Sequence, residues 1–215
     1  MDVAPTINER TKGLYFEALP RATKDAFLRC STISLFSTNG WYLAGGTALA
    51  LQTGHRKSVD LDFFTSKKSF DEGRLEEMLS VAGAWKTSSL SRGTLYGELN
   101  GAKISFIVYP LFRVVLPFLK IGYISIVKPP DIAAMKIVAV SQRGKKRDFF
   151  DLYWISQNVQ PLGESIQAAE KQYAVRHNLN HILKSLVYFE DAEEDPEPRI
   201  YFDATWAQVK RYFLL

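Results

Sequence analysis

The spacing of apolar positions changes near residue 129. Up to about residue 128, short apolar runs of strand length alternate with a few stretches of helical period; beyond it the helical period continues to the end. Ala22–Phe36 places Phe27, Cys30, Ile33 and Leu35 at helical spacing and predicts one helix against a sheet, ended by Asn39-Gly40. Trp41–Ala44 predicts a strand, Thr47–Gln52 a short helix of good helix formers, and Val59–Phe64 a second strand. Ser69 or Asp71 caps a helix running to about Val81, with Leu75, Met78 and Leu79 inward. Trp85–Leu90, Thr94–Leu99 and Lys103–Tyr109 are separated by Arg92-Gly93 and Asn100-Gly101 and predict an antiparallel ribbon that extends the sheet. Tyr123–Val127 adds one more strand. After Pro129-Pro130 breaks the chain, helices are predicted over Asp131–Gln142, Arg147–Asn158, Leu162–Tyr173, His177–Phe189 and Ala204–Phe213. The expected architecture is α/β, a mixed sheet flanked by helices over residues 1–128, followed by a helical bundle over 129–215.

Composition narrows the class. Nearly half the residues are apolar, enough for a packed core. No apolar run is long enough to cross a bilayer, and the start, MDVAPTINER, lacks the apolar segment of a signal peptide. The single cysteine, Cys30, has no partner for an internal disulfide and reads as a buried small hydrophobe. Cytoplasmic residence with no membrane partner is the expectation. The net charge of +4 does not by itself call for a polyanion. Its distribution is uneven: Lys120, Lys128, Lys136, Arg143, Lys145, Lys146 and Arg147 crowd one region, and Glu190, Asp191, Glu193, Glu194, Asp195 and Glu197 another. Such runs are ordinarily solvated faces or loops, and Glu190–Pro198 reads as a loop before the last helix.

Candidate chemistry concentrates in WYLAGGTALALQTGHRKSVDLDFF, residues 41–64. In a strand, side chains two apart share a face, so Asp60 and Asp62 project together while Val59, Leu61 and Phe63 point into a core. Paired carboxylates repel unless a proton, a basic partner or a hard cation relieves them, and Mg²⁺ suits oxygen ligands that work beside phosphates. Gly45-Gly46-Thr47 lies where a strand passes into a helix. Glycines there permit close backbone approach, and the new helix offers free N–H groups to a phosphate. Either feature alone is weak, the first being as well explained by a surface pair and the second by a turn. In order along the chain they suggest nucleotide chemistry. His55 reads as a turn residue hydrogen-bonded near the phosphate loop, because no second histidine lies at zinc spacing. Trp41 and Trp85 read as core.

A second constellation lies in DIAAMKIVAVSQRGKKRDFFDLY, residues 131–153. Asp131 can cap the helix. Lys136, Val140 and Arg143 share one face, with Ile132, Met135, Val138 and Ala139 as the buried stripe. Asp148 and Asp151 stand one turn apart on the next helix. Taken alone, Lys136, Arg143, Arg147, Asp148 and Asp151 are as well explained by surface ion pairs.

Together the two segments resemble the abortive-infection type IV (AbiE-type) toxin nucleotidyltransferases, within the DNA-polymerase-β-type nucleotidyltransferase superfamily. The likeness rests on AGGTALAL at Ala44–Leu51, on Gly54-His55-Arg56, Ser58 and Asp60-Leu61-Asp62-Phe63-Phe64, and on a lysine helix followed by Arg-Asp-x-x-Asp-Leu-Tyr. Weaker likeness extends over Lys103–Pro110, Tyr188–Pro198 and Trp206–Phe213. The resemblance implies a nucleotidyltransferase-type sheet with a helical bundle. It also implies a catalytic lysine, matched by Lys136, and a catalytic carboxylate, matched by Asp148, with Asp151 a structural neighbour. Many members of the superfamily carry a third carboxylate on a later strand; here the best candidate position holds Ser105, which leaves open one metal or two.

The expected reaction is transfer of a nucleoside monophosphate from a nucleoside triphosphate to a hydroxyl. Asp60 and Asp62 hold Mg²⁺ or Mn²⁺; Gly45, Gly46 and Thr47, with Ser58, hold phosphates; Arg56 by bidentate contact and Lys136 stabilise phosphate charge; Asp148 orients the acceptor or acts as base; and Arg143, Arg147 and Asp151 support them. The resemblance implies RNA, notably a tRNA 3′ end, as acceptor, and a cognate antitoxin as partner. The basic run at 143–147 is a candidate phosphate contact. A non-catalytic nucleotide-binding module and a phosphotransferase acting on a protein or small molecule remain the alternatives.

Overall fold

A computed structural model describes residues 13–215; the stretch read above for a leader, residues 1–10, lies outside them. A 3₁₀ turn at Phe16–Ala18 leads to α1 (Arg21–Cys30) and the single turn α2 (Leu35–Thr38). Then come β1 (Tyr42–Ala44), α3 (Gly45–Thr53), β2 (Leu61–Thr65), α4 (Glu72–Ala82), β3 (Trp85–Ser91), β4 (Thr94–Leu99), β5 (Ala102–Val108), β6 (Leu119–Ile121) and β7 (Ile124–Ile126). The rest is helical: α5 (Pro129–Arg143), α6 (Lys146–Asn158), α7 (Leu162–Gln172), α8 (Leu179–Leu186), α9 (Glu190–Glu193) and α10 (Trp206–Leu214).

The seven strands form one mixed sheet in the order β3-β4-β5-β2-β1-β7-β6. β2 lies antiparallel to β1 and parallel to β5, and β1 runs parallel to β7. The expected ribbon is β3-β4-β5. Its second turn places Asn100 at φ 51° and Gly101 at φ 82°, the pair of positive angles that a two-residue hairpin needs. One face of the sheet packs an aromatic core: Phe63 stacks on Phe106 at 5.4 Å, and Phe36 and Trp41 meet them edge-on or tilted. α1 and α2 close this side. The opposite face carries Asp62, Phe64, Ser105 and Ile107, and α5 covers only part of it.

Four local expectations are corrected. The predicted helix Ala22–Phe36 is two helices with a turn between. Val59 does not enter the core but is 45% exposed, because β2 starts only at Leu61 and Thr23 of α1 holds the Val59 carbonyl at 2.8 Å. Pro129 and Pro130 begin α5 rather than break the chain; at the first two helical positions their missing N–H groups cost nothing. Asp131 is then no cap. Buried, it accepts from Leu116 N at 2.9 Å and Gln172 Nε2 at 2.8 Å, pinning the loop after β5 and α7 to α5.

α5 is surrounded by α3, α6, α7 and α8. Ile132 and Val138 are buried as expected, joined by Ala133, Ala134 and Ile137, while Met135 and Ala139 turn to a cleft. α10, capped by Thr205, packs on α6 through Phe149–Phe213 at 5.4 Å and Phe150–Trp206 at 5.8 Å. The acidic and basic runs are not separate solvated faces. Lys145 Nζ reaches Asp195 at 3.0 Å, and the Lys146 backbone N–H donates to the same carboxylate at 2.9 Å. Lys146 Nζ, buried, donates to the Asp195 carbonyl at 2.9 Å.

Candidate active site

A cleft of about 250 Å³ opens between the sheet and α5. Gly45, Gly46, Thr47, Arg56, Ser58, Asp60 and Asp62 line its sheet side, and Lys136, Arg143 and Arg147 line its helical side. The sequence therefore brings together nearly all the expected residues; Asp148 and Asp151 stand behind the wall. The far end is apolar, made by Phe64, Ile107, Tyr109, Ile132, Met135 and Tyr173. None of these six was foreseen, although alternation points to two of them: Phe64 and Ile107 lie two residues beyond Asp62 and Ser105 on the same strand face.

The glycine loop is shaped by what surrounds it. Gly45 has φ 71°, which favours glycine. Gly46 has an ordinary φ, but a Cβ there would stand 2.2 Å from Arg56 Nη2. Only glycine lets helix α3 start against this guanidinium. Thr47 is buried, and its hydroxyl donates to the Asp60 carbonyl and meets Ser58 Oγ at 2.8 Å. Thr47 and Ser58 thus stitch the loop to the acid turn, with their hydroxyls already engaged.

Asp60 and Asp62 face the same cleft, Asp60 from the residue before β2 and Asp62 from within it. Asp62 pairs in register with Ser105 of β5, whose hydroxyl donates to Asp62 Oδ1 at 2.5 Å. Ser105 therefore occupies the place considered for a third acid. Burial, and then the Asp60 charge, push the Asp62 carboxyl above its ordinary range, against the pull of Ser105, Lys136 and Arg147. Among the described residues no group of three or more histidine, cysteine, aspartate or glutamate side chains forms a metal cluster. The two carboxylates still fit a hard divalent ion: they are oxygen donors under mutual strain in an open cleft beside a phosphate-sized loop.

Behind the cleft wall lies a buried ionic network. Asp151, wholly enclosed, receives Arg56 Nε at 2.6 Å and Nη2 at 2.9 Å, His55 Nε2 at 2.8 Å and Lys136 Nζ at 2.7 Å. Asp148, equally enclosed, is paired with Lys136 and with Arg143 Nε at 3.0 Å. Burial alone would raise both carboxyls. Lys136 and Arg143 outweigh it at Asp148, and Arg56, Lys136 and the Arg56 and His55 hydrogen bonds hold Asp151 well below the usual range. His55 is lowered, burial outweighing Asp151. Three expectations change accordingly. Arg56 spends its bidentate fork on Asp151 and borders the cleft as a fixed charge. His55 lies in the turn before β2, as expected, but its buried ring bonds Asp151 of α6 rather than the phosphate loop. Asp148, fully enclosed, is out of reach of an acceptor hydroxyl and fixes Lys136 and Arg143 instead. In the basic run, Lys145 and Lys146 are committed to Asp195, which leaves Arg143 and Arg147 facing the cleft.

Comparison with known proteins gives the chain a family and a fold. The family model described as nucleotidyl transferase AbiEii toxin, type IV toxin–antitoxin system, matches residues 26–119 and 103–214. An uncharacterized protein of Aquifex aeolicus is 38% identical over 185 residues, 84% of this chain and 88% of its own. The solved structure of MenT4, a nucleotidyltransferase toxin from Mycobacterium tuberculosis, superposes with a TM-score of 0.54 at 14% identity over 98% of this chain and 89% of that one, a likeness of fold.

Proposed function

The chain belongs to the AbiEii family of nucleotidyl transferase toxins of type IV toxin–antitoxin systems, and from that premise we propose that it moves a nucleoside monophosphate from a nucleoside triphosphate to the terminal hydroxyl of an RNA such as tRNA, releasing pyrophosphate. The observation that supports this most is the single cleft holding the glycine loop, two acids and four cations.

The triphosphate tail lies along Gly45 and Gly46, within the fields of Arg56, Lys136, Arg143 and Arg147. The base enters the apolar end, where Tyr109 and Tyr173 share a hydroxyl–hydroxyl hydrogen bond at 2.9 Å. The acceptor oxygen attacks the α-phosphorus, the bond to the bridging oxygen of the β-phosphate breaks, and pyrophosphate carries that electron pair away. The proton leaves the hydroxyl for a carboxylate oxygen of Asp62. Lys136, positioned by Asp148 and Asp151, and Arg143, positioned by Asp148, offset charge on the departing pyrophosphate. Asp60 and Asp62 would hold Mg²⁺ or Mn²⁺; when bound, the ion neutralises charge on the phosphate oxygens. These substrates imply cytoplasmic work, and the family implies a cognate antitoxin that restrains it. No described helix is long and apolar enough to cross a membrane.

The test is incubation of the protein with each α-labelled triphosphate, Mg²⁺ and bulk tRNA. Label is expected in RNA, and a protein carrying both Asp60→Ala and Asp62→Ala is expected to lose at least about 100-fold in rate while keeping its thermal midpoint. Equal labelling by that variant overturns the assignment, and transfer of γ-label instead identifies a phosphotransferase.

A further inference from the structure

The acid pair borders a second hollow. On the other side of Asp60 and Asp62, away from the glycine loop, an open groove of about 520 Å³ runs over the ribbon and is lined by Ser88, Tyr96, Gly97, Glu98, Lys103, Ile104 and Ser105. Asp60 and Asp62 are the residues that line both this groove and the phosphate cleft. Asp62 faces each with a different oxygen: Oδ1 accepts from Ser105 at the groove, and Oδ2 lies 3.4 Å from where a Cβ on Gly45 would stand.

Strand register builds the groove floor. Asp62 of β2 is opposite Ser105 of β5, Ser105 opposite Tyr96 of β4, and Tyr96 opposite Ser89 of β3, one row across four strands. The next row is Lys103, Glu98 and Lys86. Residues on the reverse of the same strands, Phe63, Phe106 and Leu95, are fully buried, so the ring of Tyr96, 39% exposed, is held up to the groove by a rigid sheet. A bulge between Thr87 and Ser89 puts Ser88 on the groove rim. Lys86 and Lys103 are exposed, form no ion pair among the described residues, and flank Glu98, the acid of their own row.

In-line displacement supplies the direction. A nucleophile must approach the α-phosphorus from the side opposite the departing pyrophosphate. With pyrophosphate held in the cleft, the groove that shares Asp60 and Asp62 with it offers the acceptor an approach to the acid pair. Tyr96 stands two strand spacings from Asp62, about 10 Å, far enough to meet the base of a nucleotide whose 3′ oxygen is at the acids. An aromatic face beside unpaired ammonium groups is the pattern that receives single-stranded nucleic acid by stacking and phosphate contact. Apart from Tyr96, Gly97 and Ile104 the groove is lined by polar or charged residues, a poor match for a peptide's apolar side chains.

We propose that the groove over β3-β4-β5 is the acceptor site, where the ring of Tyr96 stacks an end base of a single-stranded RNA 3′ terminus and Lys103 contacts its backbone phosphate. This rests on the transferase reading above. The experiment measures initial rates of α-label transfer from triphosphate to bulk tRNA by the full chain, with KM determined separately for tRNA and for the triphosphate. Tyr96→Ala is expected to raise the KM for tRNA by about tenfold, with the KM for triphosphate unchanged. Tyr96→Phe is expected to recover most of that loss, and Lys103→Ala to make transfer less sensitive to salt. A tRNA bearing 3′-terminal 4-thiouridine is expected to cross-link within residues 86–105. A KM for tRNA within about twofold of the parent in Tyr96→Ala, or cross-links confined to residues 143–147, overturns the groove assignment while leaving the transferase intact. Absence of label in RNA from the parent protein, or label found in added protein instead, overturns both.

Discussion

Asp151 gathers His55 and Arg56 from the turn before β2 and Lys136 from α5 without touching the cleft itself. Removing it strands the buried Arg56 cation and leaves Lys136 with Asp148 alone, the costly way to break an ion network. Asp151→Ala is therefore expected to lower stability by about 3–5 kcal/mol, measured by denaturant unfolding, with activity falling alongside as Arg56 and Lys136 lose their positions. At this scale the sequence was partly legible. Asp60 and Asp62 could be placed on one side because a strand repeats every two residues, whereas the place of Ser105 was implied only by the family resemblance. The fates of Asp148 and Asp151 could not be read that way. Whether a carboxylate meets substrate or a lysine depends on where a helix packs, and spacing along one helix does not contain that.

The strand–glycine–helix element shows how local and distant demands combine. Gly46 needs no special backbone angle; it is glycine because Arg56 lies across it. Arg56 cannot easily retreat, being fastened to Asp151 on its other side. Gly46→Ala is expected to displace the guanidinium, raise the KM for triphosphate by about tenfold and lower the thermal midpoint, read from kinetics and a melting scan together. Elements with strong periodicity or Asn-Gly turns were legible, as the ribbon was. β6 was not, because three residues, Leu119–Ile121, carry too little pattern. The turn dividing α1 from α2 and the prolines opening α5 were misread for a shared reason: a helical period continues across a local break, and proline marks a start as well as a stop.

For the molecule as a whole, the buried network links stability to acidity. His55 has a folded pKa below its ordinary 6.5. As pH falls below about 6.5, the unfolded chain takes up a proton that the folded chain refuses, so stability declines. Asp148 and Asp151 are depressed below 3.8, so their contribution is present above about 4 and is lost at lower pH as they finally protonate. Asp62 has the opposite sign, its raised carboxyl offsetting part of these losses on acidification. Thermal melts across pH are expected to show a first decline beginning near 6.5, and His55→Gln to flatten that step relative to the parent.

The network has a consequence for descent. Arg56 and His55 come from the turn before β2, Lys136 from α5 and the two enclosed acids from α6, so the charges balance only across the join between the sheet and the bundle. A recombination event that grafted the bundle of a distant cousin onto this sheet would orphan charges on both parents' pieces at once. In any such exchange the residues on both sides of this join are expected to be needed together, as a single ionic unit.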